Sequence, residues 1–135
     1  MSDPILVPAR ELRAVWTTVT PMVEAVRRRV GADWLAEDVY AALLRGNAGL
    51  YLLPDAEGRT AGIMVLQKLT EWGVDNLSVW VAYHRDPAKS IAVYWDWLVD
   101  KAREWACRRV TFQSPRAFAA ILPVRPIFTT FAYEV

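Results

Sequence analysis

One cysteine, Cys107, and one histidine, His84, are all the chain has of either residue. An internal disulfide is excluded, and so is a structural zinc site, which needs several such ligands. The expected setting is a reducing cytoplasm with no metal. Long apolar runs are missing as well, since none approaches the roughly 20 residues that span a membrane as a helix. Residues 1–10 lack the basic start and apolar stretch of a secretory leader, so neither export nor a membrane partner is expected. Neither charge sign dominates. Sixteen basic residues face fifteen acidic ones, a net charge of +1. Non-specific nucleic-acid binding needs a large positive field, so nucleic acid is not the expected partner. Cys107 reads as a small buried hydrophobe near a helix end, as free cysteines commonly are.

What is abundant is apolar and aromatic. Residues of the apolar set make up 54% of the chain and charged ones only 23%, which excludes global disorder. A length of 135 residues fits one domain, 1–135, able to bury its own core. Seven tryptophans (Trp16, Trp34, Trp72, Trp80, Trp95, Trp97 and Trp105) are too many for so small a core. Some are expected to face a groove, a ligand or a protein partner, a second copy included.

Residues 5–7 read as a short opening strand between Pro4 and Pro8. Leu12, Val15, Trp16 and Val19 then lie on one helix face. Thr20-Pro21 is expected to end that helix and start another, with Thr20 as cap and Pro21 in the first turn. Met22, Val23, Val26 and Val30 continue as an apolar stripe beside Arg27, Arg28 and Arg29, and Gly31 stops it. The arginine run is either a solvated face or a contact for phosphate or an acidic partner. A further helix is expected over 35–45, with Glu37 and Asp38 suited to its positive end and Gly46 as its stop.

Strand texture follows. Leu50 to Leu53, the turn cluster Pro54 to Gly58 and the run Thr60 to Leu69 read as a hairpin. Gly62 within the second strand marks a close approach of backbone or ligand. Asn76 to Tyr83 is an unbroken apolar run, expected to be a central strand buried on both faces. After the polar loop His84 to Lys89, a helix starts at Ser90 or Pro87. Its stripe is Ile91, Tyr94, Trp95, Leu98, Ala102 and Trp105. Val110 to Gln113 is the next strand, followed by a short helix from Arg116 to Leu122 and a last strand over 127–134. The helix between Tyr83 and Val110 has the length and place of a right-handed crossover. The order predicts an α+β (mixed α/β) fold, with a central mixed, mostly antiparallel sheet and helices on both faces. In such sheets ligands often sit at a strand's end beside the next helix, here residues 81–90.

This element order, with LSVWVAY (Leu77–Tyr83), AREWACRRVTF (Ala102–Phe112) and the closing SPR, LP and FTTFAYEV pieces, resembles the GNAT N-acetyltransferase superfamily over nearly the whole chain. The texture is similar to small GNAT-like proteins of tailed bacteriophages. The resemblance implies acetyl-CoA as cofactor, with its pantetheine arm along the backbone of Val79, Trp80 and Val81. It also implies a glycine-rich loop whose N–H groups grip the cofactor's diphosphate. The chain departs from the pattern at that point. The corresponding stretch is HRDPAKS, which has no glycine; Pro87 lacks an N–H, and Asp86 brings negative charge. Arg85, Lys89 and Ser90 are left to compensate through side chains.

A GNAT enzyme works by placing an amine beside a thioester and removing its proton, with no side-chain nucleophile. Glu71 is the candidate base, and His84 could assist; each also reads plainly as a solvated side chain. No general acid is identified, since Tyr133 lies in the last strand and the late helix offers only Phe118. Trp72 and Trp80 either line an acceptor groove or pack on the sheet. Arg116 either meets a phosphate or pairs with a carboxylate. Two functions remain open. One is an acyl-CoA-dependent N-acyltransferase with a degenerate diphosphate loop. The other is a non-catalytic GNAT-fold phage protein, a virion component or a host-protein-binding factor. A nucleic-acid binder using Arg27 to Arg29 and Arg108-Arg109 is the least supported.

Overall fold

Five strands pair into one sheet whose spatial order follows the chain. In the computed structural model, residues 2–89, 91–113, 122–127 and 132–134 are described. Strands β1 (Ile5–Leu6), β2 (Gly49–Pro54), β3 (Thr60–Glu71) and β4 (Val74–His84) pair antiparallel, each with the next. Strand β5 (Arg109–Phe112) pairs parallel to β4. The sheet is therefore mixed and mostly antiparallel, as the sequence predicts.

Helices cover both faces. On one, α1 (Leu12–Val30) and α2 (Ala36–Leu44) bury Leu12, Val19, Val23, Val26, Val39 and Leu43 against Leu50, Ile63, Val65 and Val81. On the other, the turn Ile91–Tyr94 and α3 (Trp95–Glu104) bury Tyr94, Leu98 and Ala102 against Tyr51, Met64, Leu66, Leu77 and Val79. Helix α2 is held at its start by the Asp38 carboxylate, which accepts the Leu35 N–H at 2.8 Å, close to the positive end of the helix.

Three expectations need correction. Thr20-Pro21 does not divide a helix, because α1 runs unbroken through Pro21. Proline forfeits one backbone bond, but the stripe Leu12, Val19, Val23 and Val26 keeps its spacing across it, and burying that stripe outweighs the lost bond. Thr20 is no cap; its hydroxyl donates to the Trp16 carbonyl at 2.6 Å. The strand buried on both faces is β3 over Ala61–Leu66, flanked by strands on either side, while β4 alternates buried with half-buried residues. The crossover helix begins as the tight turn Ile91–Tyr94 and becomes α-helical only at Trp95. Ser90, the expected cap, lies outside the described residues, as do the SPR turn with Arg116, most of the expected late helix with Phe118, and 128–131 of the last strand. Ile127 and residues 132–134, which are described, carry no strand pairing.

Candidate functional site

The apolar faces of β4 change side at one residue. In the ladder with β3, Val79 faces Leu66 and Val81 faces Val65, which leaves Trp80 without a partner. That is a β-bulge. Its consequence is visible in the core: Leu77 and Val79 pack towards α3, whereas Trp80 and Val81 both turn towards α1 and α2. Trp80 meets Trp34 edge-on there, with ring centroids 5.8 Å apart.

The bulge coincides with the end of pairing on the other side of β4. Strand β5 accompanies β4 only from Asn76 to Val79. From Trp80 to His84, β4 has no β5 partner among the described residues. The Arg85 N–H donates to the Ala61 carbonyl at 2.8 Å. In an antiparallel ladder, bonded pairs alternate. The polar groups of Val81 and Tyr83 therefore serve β3, and those of Ala82 and His84 point to the open edge. Arg29, from the end of α1, reaches this edge and donates to the Ala82 carbonyl at 3.3 Å. Gly62 lies opposite His84; a Cβ there would collide with the Tyr83 carbonyl and stand 2.9 Å from the His84 Cα. The close neighbour that requires this glycine is β4 itself.

The loop beyond the edge is closed on itself. The Asp86 N–H donates to Nδ1 of His84 at 2.9 Å. The Ala88 N–H donates to the Asp86 carboxylate at 3.0 Å, and the Lys89 N–H to the Asp86 carbonyl at 2.9 Å. With Pro87 lacking a donor, every N–H from Arg85 to Lys89 is engaged. Asp86 occupies with its own oxygens the place where an anion would be held. Arg85 is also committed, to Asp55 at 3.0 Å. Asp55 sits below the usual carboxylate range, chiefly because the Arg59 N–H bonds to it, with the Arg85 guanidinium adding to the effect. Of the expected phosphate contacts in the described residues, Lys89 alone keeps its cation unpaired. The strand edge thus fits an extended amide-bearing arm such as pantetheine; the loop does not fit a diphosphate by its backbone.

The expected site residues fall into two groups. Val79, Trp80, Val81, His84, Arg85 and Lys89 lie on the bulge, the open edge and the loop. Glu71 lies at the other end of the sheet, where it faces Val74 in the β3–β4 ladder. Along β3 it is roughly 17 Å from Leu66 at the bulge. Its carboxylate accepts from Nδ2 of Asn76 at 3.2 Å, and Asn76 Oδ1 accepts from Nε of Arg109 at 3.1 Å. His84 and Glu71 therefore cannot share one proton. Burial holds the His84 imidazole below its ordinary value, against the opposing pull of Asp86. Because Nδ1 accepts a hydrogen bond, the neutral ring carries its proton on Nε2 and acts there as a donor. Trp72 and Trp80 do not form one groove, since Trp72 stands at the hairpin tip, roughly 20 Å along β4 from the bulge. Trp72 is 91% exposed, whereas the other six tryptophans are half-buried. Burial pushes the Cys107 thiol up, away from thiolate chemistry. The sequence marked Arg29 and Asp86 by their charge, but not the bond of Arg29 to the Ala82 carbonyl nor the turn of the Asp86 oxygens onto its own loop, because spacing does not show such contacts.

No protein-family model matches the chain, and no curated protein matches it in sequence. Solved structures do match in fold. One is a ribosomal-protein-alanine N-acetyltransferase from Brucella melitensis biovar Abortus 2308, with 17% identity, 99% of this chain and 100% of that one covered, and a TM-score of 0.66. Another is an aminoglycoside acetyltransferase from an uncultured soil metagenomic sample, with 14% identity, 100% and 99% coverage, and a TM-score of 0.66. A probable acetyltransferase gives 14% identity, 98% and 100% coverage, and the same TM-score. The fold is that of the GNAT acetyltransferases.

Proposed function

We propose that the chain is an N-acyltransferase acting with a pantetheine thioester such as acetyl-CoA, whose arm pairs with the open edge of β4. The observation that carries this is the Trp80 bulge at the point where β5 stops accompanying β4. An exposed edge recognises an extended amide chain as it would a strand, through backbone bonds. Ala82 and His84 supply those bonds, and the bulge releases the backbone of Trp80 from β3 to face the thioester end. The cofactor, when bound, supplies an activated acyl group. The protein contributes position and preorganised donors, which are large terms in acyl transfer. His84 acts as a donor through Nε2, and Lys89, with Ser90 beside it, contributes charge towards phosphate. Glu71, the base expected from the sequence, stands roughly 17 Å along β3 from the bulge and takes no part in the proposed reaction. The acetyltransferase names of the fold neighbours support this reaction class.

Calorimetric titration with acetyl-CoA and with 4′-phosphopantetheine tests the proposal. Saturable binding of both is expected at similar strength, because the loop offers a diphosphate no backbone donors, and Lys89→Ala should weaken both. Failure of either ligand to bind at millimolar concentration would refute it. The closed loop favours a second reading, a protein that keeps the fold without catalysis and works through its surface, as a virion component or a host-protein-binding factor. Absence of binding in the same titration is what that reading expects.

A further inference from the structure

Three arginines meet at the end of the sheet opposite the closed loop. Arg108 precedes β5 and Arg109 opens it, and with Arg125 and Val74 they line an open cavity of about 290 Å³. None of the three forms an ion pair among the described residues. The two carboxylates flanking Val74 in sequence accept hydrogen bonds from neutral groups, Glu71 from Asn76 and Asp75 from the Thr70 hydroxyl at 2.6 Å. Arg109 is oriented in advance: its Nε is bound to Asn76, which is fully buried and held in turn by Glu71. Its two terminal nitrogens are not used in that bond. The Arg108 backbone is fixed by its N–H bond to the Asp75 carbonyl at 2.8 Å. The Arg109 guanidinium, held in this way, offers donors that match the oxygens of a phosphate, and Arg108 and Arg125 add their charge beside it.

A second observation narrows the ligand. Trp72, two residues before Val74, takes a φ of +53° at the hairpin tip and is 91% exposed. A bulky side chain in left-handed backbone is strained, and among the described residues this ring has no aromatic partner and stays open to solvent. Trp72 is not part of the lining, but it sits on the same hairpin two residues from Val74, and a flat, solvent-facing indole is a surface on which a nucleobase stacks. The cavity is at the small end for ligand pockets, suited to a phosphate ester whose base stays outside it.

We infer that the Arg108–Arg109–Arg125 pocket binds the phosphate of a nucleotide, free or within a single strand, with the base stacked on Trp72. The site does not depend on acyl transfer, because it lies at the far end of β4 from His84.

Calorimetry with adenosine monophosphate, adenosine and inorganic phosphate tests it. Adenosine monophosphate should bind more tightly than phosphate, and adenosine should not bind. The double variant R108Q/R125Q, at two exposed positions, should keep the wild-type melting temperature and weaken adenosine monophosphate about tenfold or more. Trp72→Ala should weaken adenosine monophosphate about tenfold and leave phosphate binding unchanged. A ten-residue thymidine strand that binds at least as tightly as the mononucleotide assigns the ligand to nucleic acid; weaker binding assigns it to a free nucleotide. The inference is overturned if adenosine monophosphate does not bind, binds no better than phosphate, or is indifferent to R108Q/R125Q.

Discussion

Replacing Gly62 by alanine would drive a methyl group into β4 beside the candidate site. The new carbon would overlap the Tyr83 carbonyl and stand 2.9 Å from the His84 Cα and 3.1 Å from its ring. Both backbone contacts belong to a paired strand, so β4 must back away from β3. Forced overpacking of this kind costs about 1–3 kcal/mol. The alanine also restricts the unfolded chain, which returns roughly 0.5 kcal/mol. The net loss is about 1.5 kcal/mol. With a urea dependence of about 1.5 kcal/mol per molar for a domain of this size, the unfolding midpoint should fall by about 1 M. Equilibrium urea unfolding followed by tryptophan fluorescence measures this directly. A midpoint equal to or above that of the wild type would mean that β3 and β4 do not approach as closely as described.

Other consequences follow from the same contacts. Asp86→Ala removes the carboxylate that holds the Ala88 N–H and takes away a negative charge; acetyl-CoA should then bind about tenfold more tightly by calorimetry. His84 is held below its ordinary value mainly by burial, so the unfolded chain binds more protons than the folded one. Stability is full above about pH 6.5 and declines as pH falls through the lower folded value. His84→Gln should flatten that decline, and the single imidazole makes its titration directly readable by NMR. Trp72→Asn places a residue suited to positive φ in the two-residue turn between β3 and β4. It should raise stability by about 1 kcal/mol in thermal unfolding, at the expense of nucleotide binding.

Much of the fold could be read from local pattern. The β2–β3 hairpin carries its turn cluster between apolar runs, and α3 carries an apolar stripe that packing uses as expected. The failures have a common cause, which is that they depend on partners distant in sequence. Pro21 signals a break locally, but the surface that buries Val19 and Val23 lies on the sheet. The bulge at Trp80 is a relation between two strands, so no inspection of LSVWVAY alone reveals it. At the site, the missing glycine and the added charge of HRDPAKS were legible. That Asp86 turns its oxygens inward onto Ala88 and Lys89 was not, because the sequence shows a charge and not its direction. The arginine pocket joins Arg109 with Arg125 across a gap that no motif spans.

Hydrogen exchange at single amides of β4 tests the central claim most directly. In the free protein, the N–H groups of Val81 and Tyr83, bonded to β3, should be protected, while those of Ala82 and His84 on the open edge should exchange quickly. Adding 4′-phosphopantetheine should slow Ala82 and His84 and leave Val81 and Tyr83 unchanged. Protection of Ala82 and His84 in the free protein, or no change on adding the ligand, would contradict the account.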